Sequence, residues 1–188
     1  MMKRIHNEQG VAAIEAALIL SLLLLVALGS VEWGLGLRDW LSVTAGTREG
    51  ARVGAAAGDE ANADCVILEA TAGAIRDING AVVEVWVYES DTTGTIGLRQ
   101  RYRPFVTGDD SALLRCGAWF LVQSDWPESA RDNDGATRDW LGVRVVFDHD
   151  WLTNFGGFSG SVCERGTAVG KDCWATSTVM HIEPDPTP

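Results

Sequence analysis

Residues 9–37 read QGVAAIEAALILSLLLLVALGSVEWGLGL, and this stretch decides the fold. From Ala16 to Val31 sixteen residues pass without a charge, and counting back to Val11 gives twenty-one, with Glu15 the single charge among them. A helix rises 1.5 Å per residue, so the run is about 30 Å long, the thickness of a bilayer's hydrocarbon core. A short basic leader precedes it and a polar, cysteine-bearing region follows. The sequence therefore predicts a leader at 1–10, a membrane-spanning helix at 11–37, an extracytoplasmic domain at 38–183 and a Pro-rich tail at 184–188. Trp33 and Trp40 fall near the outer boundary, where amphipathic rings settle among headgroups. Glu32, Arg38 and Asp39 are expected to mark the exit to water.

Two plainer readings share parts of this pattern. A cleaved secretory signal has a basic start, here Lys3 and Arg4, and small residues at its end, here Ala27-Leu28-Gly29. A plain anchor helix has the length. Neither needs Glu15. A carboxylate inside a span costs a few kcal/mol near the centre and less toward an end, and it usually has a partner. A cut after Gly10 would give Val11 a new positive amine. Glu15 lies four residues on, one turn away on the same face, placed to pair with that amine or with a neighbouring subunit's. The helix N-terminus also favours a carboxylate there.

A Gly, four mostly apolar residues, then Glu at the fifth place before a long apolar helix resembles the prepilin-peptidase site of type IV pilins and pseudopilins. The continuation AAIEAALILSLLLLVALGSVEWG, with TREGAR at 47–52, resembles the TadE-like family, minor pilins of the tight-adherence pilus. The resemblance runs from about Glu8 to Gly58 and is weak beyond, at GVRVVFDHDW (142–151) and TSTVMHIEP (176–184). It implies removal of the leader after Gly10, a mature chain starting at Val11, and an apolar helix that joins a filament core with Glu15 aligning the subunit. The implied partners are other pilin subunits, a prepilin peptidase, an inner-membrane assembly platform and membrane lipid. The chain is longer than the major pilins of such systems, which points to a minor subunit.

Charge agrees with this orientation. Lys3, Arg4 and Glu8 give residues 1–10 a net +1, while the whole chain carries −11. Basic residues before the span and an acidic excess after it place the N-terminus in the cytoplasm of an inner membrane. An acidic domain argues against nucleic-acid binding and against anionic headgroups. All four cysteines, Cys65, Cys116, Cys163 and Cys173, follow the span, so an oxidising compartment and two disulfides are expected. Three pairings are open. Cys163–Cys173, closing a short loop, with Cys65–Cys116 is the favoured one, each bond stabilising by about 3–4 kcal/mol in the chain-entropy model. A zinc site is the rival, and no C-x₂-C spacing supports it.

Beyond the span the helix is expected to continue. Residues 38–57 hold no Pro, and Leu37, Trp40, Leu41 and Ala45 make an apolar stripe at helical spacing. Gly46, Gly50, Gly54 and Gly58 recur every four residues, a smooth row against which another backbone can pack closely, on the chain's own sheet or on a neighbour. A weak, fraying helix is the bland alternative. Residues 61–78 read as a second helix with Cys65, Leu68, Ala72 and Ile75 on one face. Period-two alternation predicts strands at 81–89, with Val83, Val85 and Val87 on one face and Glu84, Trp86 and Tyr88 on the other, and at 142–150, with Val143, Val145 and Phe147 inward and Arg144 and Asp148 outward. Further strands are expected at 96–106, 113–124 and 174–183. Arg99, Arg101 and Arg103 share one face and are expected to pair with acids such as Glu84 and Glu89.

Chemistry of other kinds finds little support. His6 lies in the leader, and His149 and His181 lie in predicted strands. The loop at Asp132-Asn133-Asp134-Gly135 lacks the full calcium-loop spacing. The G-x-S-x-G elbow fails because Ser161 stands where the second Gly should be. No catalytic residue, metal or cofactor is expected. The reading is an α+β fold: a long N-terminal helix, half in the membrane and half packed on a small antiparallel sheet, with one further helix, pilin-like. Its function is structural. The alternative is a membrane-anchored, adhesin-like binding module that uses its eight tryptophans.

Overall fold

The structure, a computed structural model, describes residues 6–78, 80–105, 114–133, 137–152 and 173–184. One helix, α1 (His6–Ala57), runs unbroken from the leader region through the glycine row. Its sequence holds no proline and is rich in leucine and alanine, both good helix formers. It stops at Gly58, whose φ of 54° is a left-handed conformation that glycine adopts without steric cost. A short turn leads to α2 (Ala63–Ala74). Strands follow at β1 (Val82–Ser90), β2 (Ile96–Pro104), β3 (Leu114–Arg115), β4 (Trp119–Ser124), β5 (Trp140–Asp148) and β6 (Cys173–His181). They form one sheet in the order β3-β4-β2-β1-β5-β6, and every neighbouring pair is antiparallel. The fold is α+β, as the hydrophobic periodicities predict.

Both helices cover one face of this sheet. The core joins Val43 and Ala51 of α1, Ile67 and Leu68 of α2, Val85 and Val87 of β1, Tyr102 of β2, and Leu141, Val143, Val145 and Phe147 of β5. Each fully buried aliphatic or aromatic side chain contributes about 1.5–3 kcal/mol of transfer free energy. The β1–β2 connection is fixed by Asp91. Its Oδ1 accepts from the Thr93 N–H at 2.8 Å, the Thr95 N–H at 3.0 Å and the Thr93 hydroxyl at 2.6 Å. Those bonds, the Thr93 hydroxyl first, hold the Asp91 carboxyl well below the usual carboxylate range.

Several expectations about faces are corrected. On α1 the apolar stripe is split: Leu37 and Leu41 are 58% and 60% exposed and Ala45 is exposed, while Trp40 packs on Phe147 and Trp174 of the sheet. The buried face is instead Gly36, Asp39, Val43, Gly46, Thr47, Gly50, Ala51 and Gly54. Small side chains win because they let two backbones approach, which a leucine row would prevent. On α2 the buried face is Ala63, Asp64, Ile67, Leu68 and Thr71, while Ala72 is exposed. On β1 both faces carry buried residues, Val85 and Val87 on one and Glu84 and Tyr88 on the other, so the strand is covered on both sides. Tyr88 lies in the space left by Gly142 on β5, where a Cβ would strike its ring. The strand expected at 113–124 is two strands, parted by a turn in which Cys116 and Gly117 have φ of 52° and 75°. His149 lies just past β5 rather than in it. The Asp134-Gly135 pair, residues 157–161 with the failed elbow, Cys163 and residues 185–188 lie outside the described residues.

Candidate functional site

The N-terminal part of α1 is built for an apolar environment. From Gly10 to Leu28 every residue is exposed, with Val11 at 55%, Leu18 at 66% and Leu23 at 59%. One helix is therefore long and apolar enough to cross a membrane, and its most apolar window is 0% buried against the rest of the chain. Ser21 and Ser30 bond their hydroxyls back to the carbonyls of Leu18 and Val26, at 2.8 Å each, so neither hydroxyl stays unsatisfied in an apolar medium. Gly10, Val11 and Glu15 all lie on this bare segment, Val11 and Glu15 one turn apart, and touch no part of the sheet domain.

Where the domain begins, α1 carries two buried acids seven residues apart on one face. Glu32 is 5% exposed and accepts the Leu152 N–H at 3.1 Å. Asp39 is 1% exposed and lies 2.6 Å from His149 Nδ1, whose side chain is also 1% exposed. Trp174 stacks on the His149 ring at 5.4 Å, and Trp151 meets it edge-on at 4.8 Å. Trp40 and Phe147 complete the cluster around Trp174. The histidine Nε2 is buried and has no hydrogen-bond partner among the described residues. Gly36 is the reason this packing closes, since a Cβ there would lie 2.9 Å from the Trp174 ring. The couple is shut off from solvent, so its geometry suits clamping a helix to a sheet rather than turning over a substrate. The expectation that Glu32 and Asp39 mark an exit to water is thus corrected. A spacing of seven on an apolar helix, with a histidine at the end of a strand, is the signal that could have found them.

Further along α1 the glycine row meets α2 and β5. A Cβ on Gly46 would fall on Ile75 and on the Thr71 carbonyl, one on Gly50 on the Thr71 hydroxyl, and one on Gly54 on Leu141 and Ile67 at 2.7 and 2.9 Å. The Thr71 hydroxyl can sit there because it donates to the Ile67 carbonyl at 2.7 Å. On the adjoining face Thr44 and Thr47 bond to Thr176 and Thr178 of β6 at 3.2 and 3.1 Å. The far end is locked by a fully buried pair, Arg131 with Asp64. Asp64 also accepts from the Tyr102 hydroxyl, and the Trp126 ring lies 4.8 Å from the guanidinium. Cys65 bonds to Cys116 with an S–S distance of 2.04 Å, joining α2 to the β3–β4 turn. Cys173 is disulfide-bonded as well.

On the outer face of the sheet Arg101 pairs with the buried Glu84 at 2.7 Å. Glu84 also accepts the Trp86 indole N–H at 2.7 Å. Arg99, Arg101 and Arg144 approach the Trp86 ring at 4.8, 5.2 and 5.4 Å, and Arg103 lies 4.9 Å from Phe120. No group of three or more His, Cys, Asp or Glu converges among the described residues.

The arrangement defines a class: a bare apolar helix that continues, without a hinge, into a small α+β domain clamped along its second half. The family model described as TadE-like protein matches residues 10–52, from the glycine before the apolar run to the middle of the glycine row. This agrees with the resemblance read from the sequence, and it covers the helix and none of the sheet. No curated protein and no solved structure matches the chain.

Proposed function

We propose that the chain is a minor pilin or pseudopilin, a structural or assembly component of a tight-adherence type IV pilus held by one helix in the inner membrane. The TadE-like match supports the coarser part, an association with that pilus. The observation that carries the finer part is the bare helix: apolar side chains from Val11 to Val31 have no partner in their own domain, so lipid or neighbouring helices must cover them. The exposed Leu37 and Leu41 continue that surface beyond Val31 and suit contact with other subunits. In this reading a prepilin peptidase cuts after Gly10, the new Val11 amine meets a Glu15 carboxylate, and the domain rides on the outside.

Mass spectrometry of the mature N-terminus tests it. A chain beginning at Val11 is expected, whereas one beginning at Met1 or Ser30 overturns the pilin reading. The rival, an anchored module that binds through its tryptophans, has weaker support. Trp126 is buried, Trp86 is flanked by guanidinium groups, and Trp40, Trp151 and Trp174 pack on one another at the junction.

A further inference from the structure

Beside the point where α1 leaves the domain, the chain after β5 comes down to the same level. The Leu152 N–H reaches Glu32 Oε2 at 3.1 Å, and the Trp151 ring meets Trp33 edge-on at 6.2 Å. Residues 151–152 therefore share a level with residues 32–33. Below that level α1 offers twenty-one residues, Val11 to Val31, or about 31 Å of helix, the depth of a hydrocarbon core. Trp33 and Leu152 are 66% and 63% exposed although both are apolar and neither belongs to the core.

We infer that Trp33, Trp151 and Leu152 form a collar that docks the domain on the outer membrane–water boundary, with the headgroup–acyl interface of a lipid bilayer as its partner. The inference rests on the reading of α1 as a span, and it adds that the domain is seated on the membrane rather than held above it. Three observations support it. The helix length puts these residues at the boundary, the depth at which tryptophan is favoured. The collar is held stiffly, because the same segment is pinned by His149 to Asp39 and stacked under Trp174. Glu32, a carboxylate at the upper end of the apolar run, is covered and given a hydrogen bond by this segment, which ties the two together at that level. The acidic charge of the chain, −11 overall, favours a neutral interface over anionic headgroups.

The test uses the full chain in phosphatidylcholine nanodiscs, with bimane on one introduced cysteine at a time: Leu22→Cys in the span, Leu152→Cys and Trp33→Cys in the collar, and Thr92→Cys in the hairpin at the other end of β1. No described cysteine is free, so unreduced protein is labelled at the new thiol, and the parent chain sets the background. Spin-labelled lipid is expected to quench the labels at 22, 33 and 152 and to leave the one at 92 unchanged, while iodide quenches 92 alone. If 22 is quenched by lipid but 152 and 33 respond to iodide as 92 does, the collar is overturned and the span stands. If 22 is not quenched by lipid, the spanning reading fails, and the inference fails with it. Shielding of 152 from both quenchers, growing with the number of copies per disc, would assign the surface to a second copy of the chain and overturn the lipid assignment.

Discussion

Buried polar residues hold this domain together, and their energetics turn on single groups. Asp64 and Arg131 are both fully buried, and a buried pair repays its desolvation only if its remaining hydrogen bonds are made. Tyr102 supplies one of them. Burial, then the Asp64 charge, push the Tyr102 hydroxyl's pKa well above its ordinary 10, and burial likewise raises that of Tyr88. These are the only two tyrosines, and the only two lysines, Lys3 and Lys171, lie outside the described residues. Below pH 10 tyrosine is neutral whether the chain is folded or not, and its contribution is fully present. Above pH 10 the unfolded chain ionises its tyrosines while the folded one resists, so stability drains as pH rises. We expect the urea midpoint in detergent to hold steady below pH 10 and then fall, by about 1.4 kcal/mol per pH unit for each raised tyrosine. Tyr102→Phe should start less stable and show a shallower alkaline decline. An equally steep decline in that variant would remove Tyr102 from this account.

Elements were legible where one physical signal dominated. Alternation placed β1 and β5 within a residue or two of their observed bounds, because valine and aromatic residues alternate along strands with a buried face, and β2 and β6 also fall within two residues of their expected bounds. The β3–β4 turn was not legible: Cys116 is a poor left-handed residue by propensity, and its long-range bond to Cys65 lies in that same turn. On α1 the sequence offers two faces, the stripe of Leu37, Trp40, Leu41 and Ala45 and the glycine row, and the close approach of α2 and β5 buries the glycine row. The glycine row itself was visible as a period of four, and its partners, Thr71, Ile75, Ile67 and Leu141, were not. This makes a signed prediction at the level of the element. Gly73→Ala on α2 meets nothing within 4 Å, so it should stabilise by up to about 1 kcal/mol through helix propensity alone. Gly50→Ala gains the same propensity but drives a methyl group into Thr71, and overpacking typically costs about 1–3 kcal/mol. Thermal unfolding should move up for Gly73→Ala and down for Gly50→Ala. A rise in both would mean that the α1–α2 contact is loose.

At the scale of the molecule two halves meet different demands. The domain closes its own core, while the helix from Gly10 to Leu28 satisfies its backbone and leaves its whole side-chain surface open. Glu15 stands on that surface, exposed in the isolated chain and one turn from Val11. If the carboxylate merely tolerates its place, Glu15→Ala should insert normally or more easily, because a charge leaves the apolar phase. If it pairs with a neighbour's Val11 amine, the variant loses an attraction that is stronger in a low-dielectric setting than in water. It also leaves that amine uncompensated, the more costly half of the change. The domain lies too far up the helix to feel the substitution: Glu15 and Glu32 are separated by about 25 Å at the rise of an α-helix. Glu15→Ala is therefore expected to be made, processed and retained in the membrane at the parent's level, yet to yield few or no filaments in the fraction sheared from cells. Glu15→Asp should fall between the two, since its charge remains and its reach is shorter. Normal filament yield from Glu15→Ala would take the assembly role away from this carboxylate and leave the helix as an anchor.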